Sequence, residues 1–166
     1  LGSYCGKSTV YLGTAARDAG SIVFAVDHHR GSEEHQYGEE YYDPELFDAA
    51  TQRMDSLPAL RRTLARAELE AWVVPVVAAS AQLGPHWTTP LGMVFIDGGH
   101  SLEAAQTDYR NWSGHVQPGG ILAIHDIFPN PEDGGQAPYT IYQLALASGS
   151  FVEVEMRRSL AILRRF

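Results

Sequence analysis

Short apolar runs alternate with helical stretches along almost the whole chain, and this alternation restricts the fold more than any other feature. Residues 22–26, 73–78, 93–96 and 121–124 have the length and the β-branched or aromatic content of buried strands. Residues 8–19, 58–68 and 102–112 carry the apolar spacing of helices. Such alternation builds βαβ units, with parallel strands in one sheet and helices packed on it. Asp43-Pro44 looks like an N-cap followed by a first-turn proline, which predicts a further helix to about Met54. Residues 139–147 form a last helix, and residues 151–156 and 160–163 a terminal antiparallel pair. The expectation is an α/β sheet, mostly parallel, with an antiparallel C-terminal strand. The polar, acidic segment 28–42 is long for a connection, and loops of that length are usually lids or binding loops.

A chain of 166 residues, 45% of them hydrophobic, is sized for one domain spanning residues 1–166 around one core. The net charge of -8 disfavours a nucleic-acid surface, which needs clustered Lys and Arg to neutralise phosphates. Arg61, Arg62 and Arg66 do cluster, but on one predicted helix, where they read as a solvated face. The one cysteine, Cys5, excludes an internal disulfide and fits a reducing cytoplasm. No apolar run approaches the roughly 20 residues of a membrane helix. The glycine turn that opens the chain must be fed by a strand, and only Leu1 precedes it. The first strand is therefore expected upstream of Leu1, supplied by a preceding segment or, if strands are exchanged, by the partner in a homodimer.

Chemistry is expected at the strand ends, because open α/β sheets bind ligands outside the carboxyl ends of their strands. Four ends carry polar or acidic residues: Asp27, Ala79-Ser80, Asp97 with His100, and His125-Asp126. With the opening glycine turn they would ring one crevice. That turn, Gly2-Ser3-Tyr4-Cys5-Gly6-Lys7-Ser8-Thr9, ends like a nucleotide-binding P-loop. A P-loop needs four residues between its first glycine and the Gly-Lys pair, however, and here only Ser3, Tyr4 and Cys5 intervene. The spacing argues against a nucleoside triphosphatase. Asp27 follows Gly6 by about the 20 positions that place a carboxylate on an adenosine ribose. The third glycine of the dinucleotide fingerprint is missing. A dinucleotide and S-adenosylmethionine both remain open on spacing alone.

Three motifs together carry a resemblance. Gly2 to Thr9 looks like the first motif of class I S-adenosylmethionine-dependent methyltransferases, especially the catechol O-methyltransferase group. Phe95-Ile96-Asp97-Gly98-Gly99-His100-Ser101 and Pro118-Gly119-Gly120-Ile121-Leu122-Ala123-Ile124-His125-Asp126 resemble bacterial O-methyltransferases of macrolide and aminocoumarin sugars. The resemblance spans Gly2 to about Leu163 and implies a Rossmann-like, doubly wound fold. It implies that Gly2, Ser3 and Gly6 let the backbone approach the cofactor, with Tyr4 and Ser8 by its methionine carboxylate. Asp27 would hold the ribose, with His28 beside the cofactor, Ser80 near the adenine and Asp97 lining the same site. Asp97, His125 and Asp126 match positions that hold a divalent metal, Mg or Mn, in metal-dependent members. His125 departs from the carboxylate that relatives often carry. An imidazole suits Mn or Zn better than Mg, so His125 is either a ligand or stands behind the ligands.

Methyl transfer from a sulfonium needs an oriented, deprotonated acceptor. A metal at Asp97 and Asp126 would acidify an acceptor hydroxyl, and His100 would take its proton as general base. The expected partner is a small molecule, first a saccharide and next a catechol-type phenol, with neither nucleic acid nor membrane involved. A non-catalytic binding module is the competing class, and it would not need Asp97, His100 and Asp126 together. His28, His29 and His35 lack metal-ligand spacing and read as lid or surface residues. Trp72, Trp87 and Trp112 read as core or interface. Cys5 reads as packed, since no base is paired with it.

Overall fold

The computed structural model describes residues 1–32, 35–39, 42–99 and 101–166. They fall into two compact units, residues 2–79 and residues 80–166 with Leu1.

In the first unit, helix α1 (Lys7–Asp18) leads into strand β1 (Val23–Asp27). Strands β2 (Phe47–Asp48) and β3 (Arg53–Met54), helix α2 (Leu57–Arg66) and strand β4 (Val73–Val77) follow. β1 and β4 pair in parallel, Val23 opposite Val73 and Asp27 opposite Val77. The core of this unit is Ala25, Leu60, Leu64, Leu69 and Val73, with Val10 and Trp72 packed against it. Leu60 and Leu64 are one helical turn apart, so α2 buries one face. Its other face keeps Arg61, Arg62 and Arg66 exposed, as their sequence pattern predicts. At Gly13 a Cβ would stand 2.6 Å from Val73 Cγ2, so glycine is what lets α1 approach β4.

The helix predicted from Asp43 to Met54 does not form. Asp43 does cap Pro44, accepting from Glu45 N at 2.9 Å, but the turn that follows is a single 3₁₀ turn, Pro44–Leu46. The chain then makes the β2–β3 hairpin, Phe47 opposite Met54. The reason is local. Asp48 accepts from Ala50 N at 2.9 Å and from Thr51 Oγ1 at 2.7 Å, and Gln52 takes φ 55°. An Asp that bonds its own downstream backbone offers the chain a turn in place of a helix.

In the second unit, the short helix α3 (Ser80–Leu83) precedes strand β5 (Leu91–Ile96), helix α4 (Leu102–Trp112), strand β6 (Val116–Ile124) and helix α5 (Ala137–Ala147). Strands β7 (Phe151–Arg157) and β8 (Leu160–Arg165) close the chain. The sheet order is β5-β6-β8-β7, with β5 and β6 parallel and β8 antiparallel to both its neighbours. The antiparallel C-terminal pair therefore stands as expected. Leu1 lies along the end of β5, its amino group 2.7 Å from Phe95 O and its carbonyl accepting from Asp97 N at 3.2 Å. Leu122, Ile124, Ile141, Leu163 and Trp112 are almost fully buried.

Pro118-Gly119-Gly120 lies within β6, which begins well before the strand expected at residues 121–124. The β5–β6 register shifts between Leu91 and Met93, an irregularity that tolerates proline in a strand. A Cβ at Gly120 would meet Gly92 O at 2.9 Å, so this crossing requires glycine. Among the described residues, no helix is long and apolar enough to cross a membrane.

Candidate active site

The glycine turn of the first unit is built on left-handed backbone. Gly2, Tyr4 and Gly6 have φ 78°, 45° and 97°. A non-glycine residue at positive φ is strained, and something must hold it there. Asp27 does so at Tyr4: its Oδ2 accepts from Tyr4 N at 2.8 Å. The same carboxylate accepts from His29 N through Oδ1 at 2.7 Å, and His29 is itself left-handed at φ 59°. Asp27 therefore braces both the glycine turn and the segment after β1, and each oxygen keeps a further lone pair. A Cβ at Gly6 would reach 2.9 Å from Leu60 Cδ1, and no side chain caps α1. Ser3 Oγ is buried without a hydrogen-bond partner. An uncapped helix N-terminus beside an orphaned hydroxyl can receive a carboxylate such as that of a methionine moiety. Ser8 sits in the first turn of that helix.

The three histidines of the loop separate. His28 is exposed, and its Nδ1 accepts from Arg30 N at 3.0 Å. His35 sets its ring against Tyr4, centroids 5.0 Å apart, as a residue lying over the glycine turn would. His29 corrects the surface reading. It is 1% exposed, with Nδ1 2.8 Å from Ser56 Oγ. Burial lowers its pKa and keeps the ring neutral. Nothing in the spacing of His28 and His29 distinguishes them; the left-handed turn that buries one is a tertiary outcome. Burial also raises the Cys5 thiol, helped by the charge of Asp43. A thiol so protected is a poor nucleophile, in line with its packed reading.

The second unit gathers Asp97, His125 and Asp126. Asp97 follows β5 directly and His125 follows β6, and the parallel ladder continues between them, with His125 N donating to Ile96 O at 3.1 Å. His125 Nδ1 is buried. It stands 3.1 Å from Asp97 Oδ1 and 3.0 Å from Asp126 Oδ1, yet is aligned for a hydrogen bond to neither. Asp126 is left-handed at φ 59°, a strained conformation of the sort that clusters at functional sites. One donor atom from each residue lies within 4.8 Å of the others. A buried ring nitrogen flanked by two carboxylates fits a divalent cation, and the mixed oxygen and nitrogen set suits Mn or Zn at least as well as Mg. These side chains remain 21–40% exposed. The three residues line a small, open depression together with the apolar side chains of Ile96, Ala105, Ile124, Pro138 and Ile141.

Ser101, not Asp97, caps α4: its side chain accepts from Ala104 N at 3.3 Å. Asp97 is thus not the helix cap that an acidic residue at a strand end can be. His100 lies outside the described residues. One residue escaped the sequence reading altogether. Asp108, midway along α4, is buried and accepts a hydrogen bond from Ser80 Oγ. The only hint in the sequence is a carboxylate at a position that helical spacing assigns to the inner face with Ala105 and Trp112. Trp112 is in the core as expected, and Trp87 packs against it with ring centroids 5.5 Å apart.

A glycine turn braced by a strand-end carboxylate, on an α/β framework of parallel pairs, defines a protein that binds a nucleoside-bearing cofactor. The chain belongs to the methyltransferase domain family, which matches residues 1–127. The class I methyltransferase resemblance of its motifs therefore holds, and solved structures agree on the fold. The O-methyltransferase NovP is similar over 98% of this chain and 68% of its own, at 15% identity and a TM-score of 0.71. TomG from Streptomyces achromogenes, an O-methyltransferase of tomaymycin synthesis solved with S-adenosylmethionine, covers 99% of this chain. The match takes in 70% of TomG, at 12% identity and a TM-score of 0.62. An rRNA methylase from Streptococcus thermophilus is similar over 99% of this chain and 82% of its own, at 13% identity and a TM-score of 0.58.

Proposed function

We propose that this methyltransferase moves a methyl group from S-adenosylmethionine to a hydroxyl oxygen of a small acceptor, with a sugar as the favoured acceptor. The cluster of Asp97, His125 and Asp126 carries the reading. Methyl transfer to an intrinsically reactive nitrogen or sulfur has no need of two carboxylates around an imidazole, whereas a sugar hydroxyl is a poor nucleophile that gains from a cation at that place. The likeness of the motifs around Asp97 and Asp126 to those of macrolide and aminocoumarin sugar O-methyltransferases supports the acceptor class.

Each residue then has a task. Gly2, Ser3, Tyr4, Gly6 and Ser8 receive the methionine end of the cofactor, and Asp27 accepts from the ribose hydroxyls. His28, Ser80 and Asp97 are the remaining cofactor residues of this reading, Ser80 toward the adenine. When bound, the cofactor supplies the electrophilic methyl group, and a divalent metal supplies charge that favours the ionised acceptor. Asp97, Asp126 and His125 hold that metal. His100 takes the acceptor proton. The acceptor oxygen is to be presented at the open, carboxylate-lined face of the cluster.

Calorimetry tests the cofactor first. The protein should bind S-adenosylhomocysteine and not Mg-ATP; tight Mg-ATP binding with no response to S-adenosylhomocysteine would overturn the class of site. Turnover on a panel of deoxysugar conjugates and catechols then tests the acceptor, read as release of S-adenosylhomocysteine. Methylation of catechols alone would replace the sugar with a phenol.

Asp27→Ala sharpens the test. Losing a hydrogen bond to a charged group costs about 1.5–3 kcal/mol, so the Kd for S-adenosylhomocysteine should rise at least tenfold. The loss should reach the upper end of that range, because the same carboxylate braces Tyr4 and His29. Unchanged affinity would remove Asp27 from the cofactor site.

A further inference from the structure

Asp108 is a carboxylate 6% exposed in the middle of α4, and the reaction outlined above leaves it without a task. Burying a carboxylate is costly unless its bonds compensate. Its Oδ1 accepts from Ser80 Oγ, at the first residue of α3. One helical turn further along α4, Trp112 Nε1 donates to the carbonyl of the same Ser80 at 3.2 Å. Residues four apart share a helix face, so α4 grips Ser80 by side chain and main chain together. The second oxygen of Asp108 faces Gly98, where a Cβ would stand 2.7 Å from Oδ2. No side chain fits between the carboxylate and the turn that follows Asp97.

We propose that Asp108 is a positioning residue that ties Ser80 to the Asp97–Gly98 turn, so that one buried carboxylate sets both the adenine-side hydroxyl and the approach of a metal ligand. This rests on the reading of Ser80 and Asp97 as cofactor-side and metal-side residues. The carboxylate acts through what it holds: it fixes the Ser80 hydroxyl on one side, and on the other its bulk sets how the chain leaves β5.

The test compares single and double variants by calorimetry with S-adenosylhomocysteine and by electron paramagnetic resonance with Mn²⁺. Asp108→Asn keeps the shape and one acceptor oxygen but removes the charge. It should weaken S-adenosylhomocysteine by about tenfold, the scale of one charge-assisted bond. Ser80→Ala should do the same. The double variant should lose no more than the worse single, because both cut one link. Mn²⁺ affinity should fall in Asp108→Asn and hold in Ser80→Ala, since among the described residues it is the Asp108 carboxylate, not Ser80, that meets the Gly98 turn. Additive losses in the double variant, or unchanged affinities in Asp108→Asn, would overturn the proposal. Should Asp108→Asn fold poorly, Gly98→Ala carries the same test by pushing a methyl against the carboxylate from the other side. Weaker cofactor binding in Gly98→Ala supports the link, and wild-type binding overturns it. Failure of the cofactor reading shows in the wild-type protein, as no heat with S-adenosylhomocysteine, and failure of this inference shows only in the variants.

Discussion

Turnover should fall to background in EDTA while S-adenosylhomocysteine still binds. Asp97, His125 and Asp126 offer two carboxylate oxygens and a ring nitrogen within 4.8 Å of one another. Carboxylate oxygens with an imidazole nitrogen are donors that divalent cations such as Mn²⁺ accept. The cofactor is held instead by the glycine turn and Asp27 in the proposed reading, so the metal and the cofactor should be lost separately. Asp126→Ala should reproduce the effect of EDTA: Mn²⁺ binding lost by electron paramagnetic resonance, S-adenosylhomocysteine affinity within about twofold of wild type, and turnover down by about 10²-fold or more, a loss of several kcal/mol of charge stabilisation. Full activity in EDTA would take the metal out of the mechanism, and with it the reason for a carboxylate at Asp126.

His100→Ala is expected to cut turnover by about 10²–10⁴-fold, the usual share of a general base, with Mn²⁺ and S-adenosylhomocysteine both retained. His100 stands between Gly99, which lines the depression at the cluster, and Ser101, which caps α4. Ser101 already fills the capping task, and proton transfer is the task proposed for His100. A rate within threefold of wild type would leave a transferase that relies on proximity and the metal alone. The pH profile separates the cases: with a general base at His100 the rate should rise with pH, and His100→Ala should flatten that rise.

Most of the framework could be read from patterns that need no partner. Residues 102–112 were predicted as a helix and form α4, because apolar spacing and the Ser101 cap are both local. Strands β1, β4 and β5 were found within one or two residues of their ends, since buried parallel strands are continuous apolar runs. The failure at residues 43–54 is equally local in origin. Asp43-Pro44 is a true cap, but Asp48 four residues later offers a competing turn, and a cap predicts a start without a length.

The sequence by itself determined the α/β class, the glycine turn and the candidacy of Asp27, Asp97, His125 and Asp126, because strand ends and glycine spacing are one-dimensional signals. Which of these groups meet was decided by tertiary structure. Ile96 opposite Ile124 is a matter of register, and register puts His125 next to Asp97. The left-handed turn at Asp126 then brings its carboxylate to the same ring nitrogen. Adjacent histidines likewise part, His28 to solvent and His29 to the interior. Asp108 belongs wholly to the tertiary level: its partner Ser80 is 28 residues away in the chain. A buried carboxylate is intelligible only once helix packing has put its partners around it.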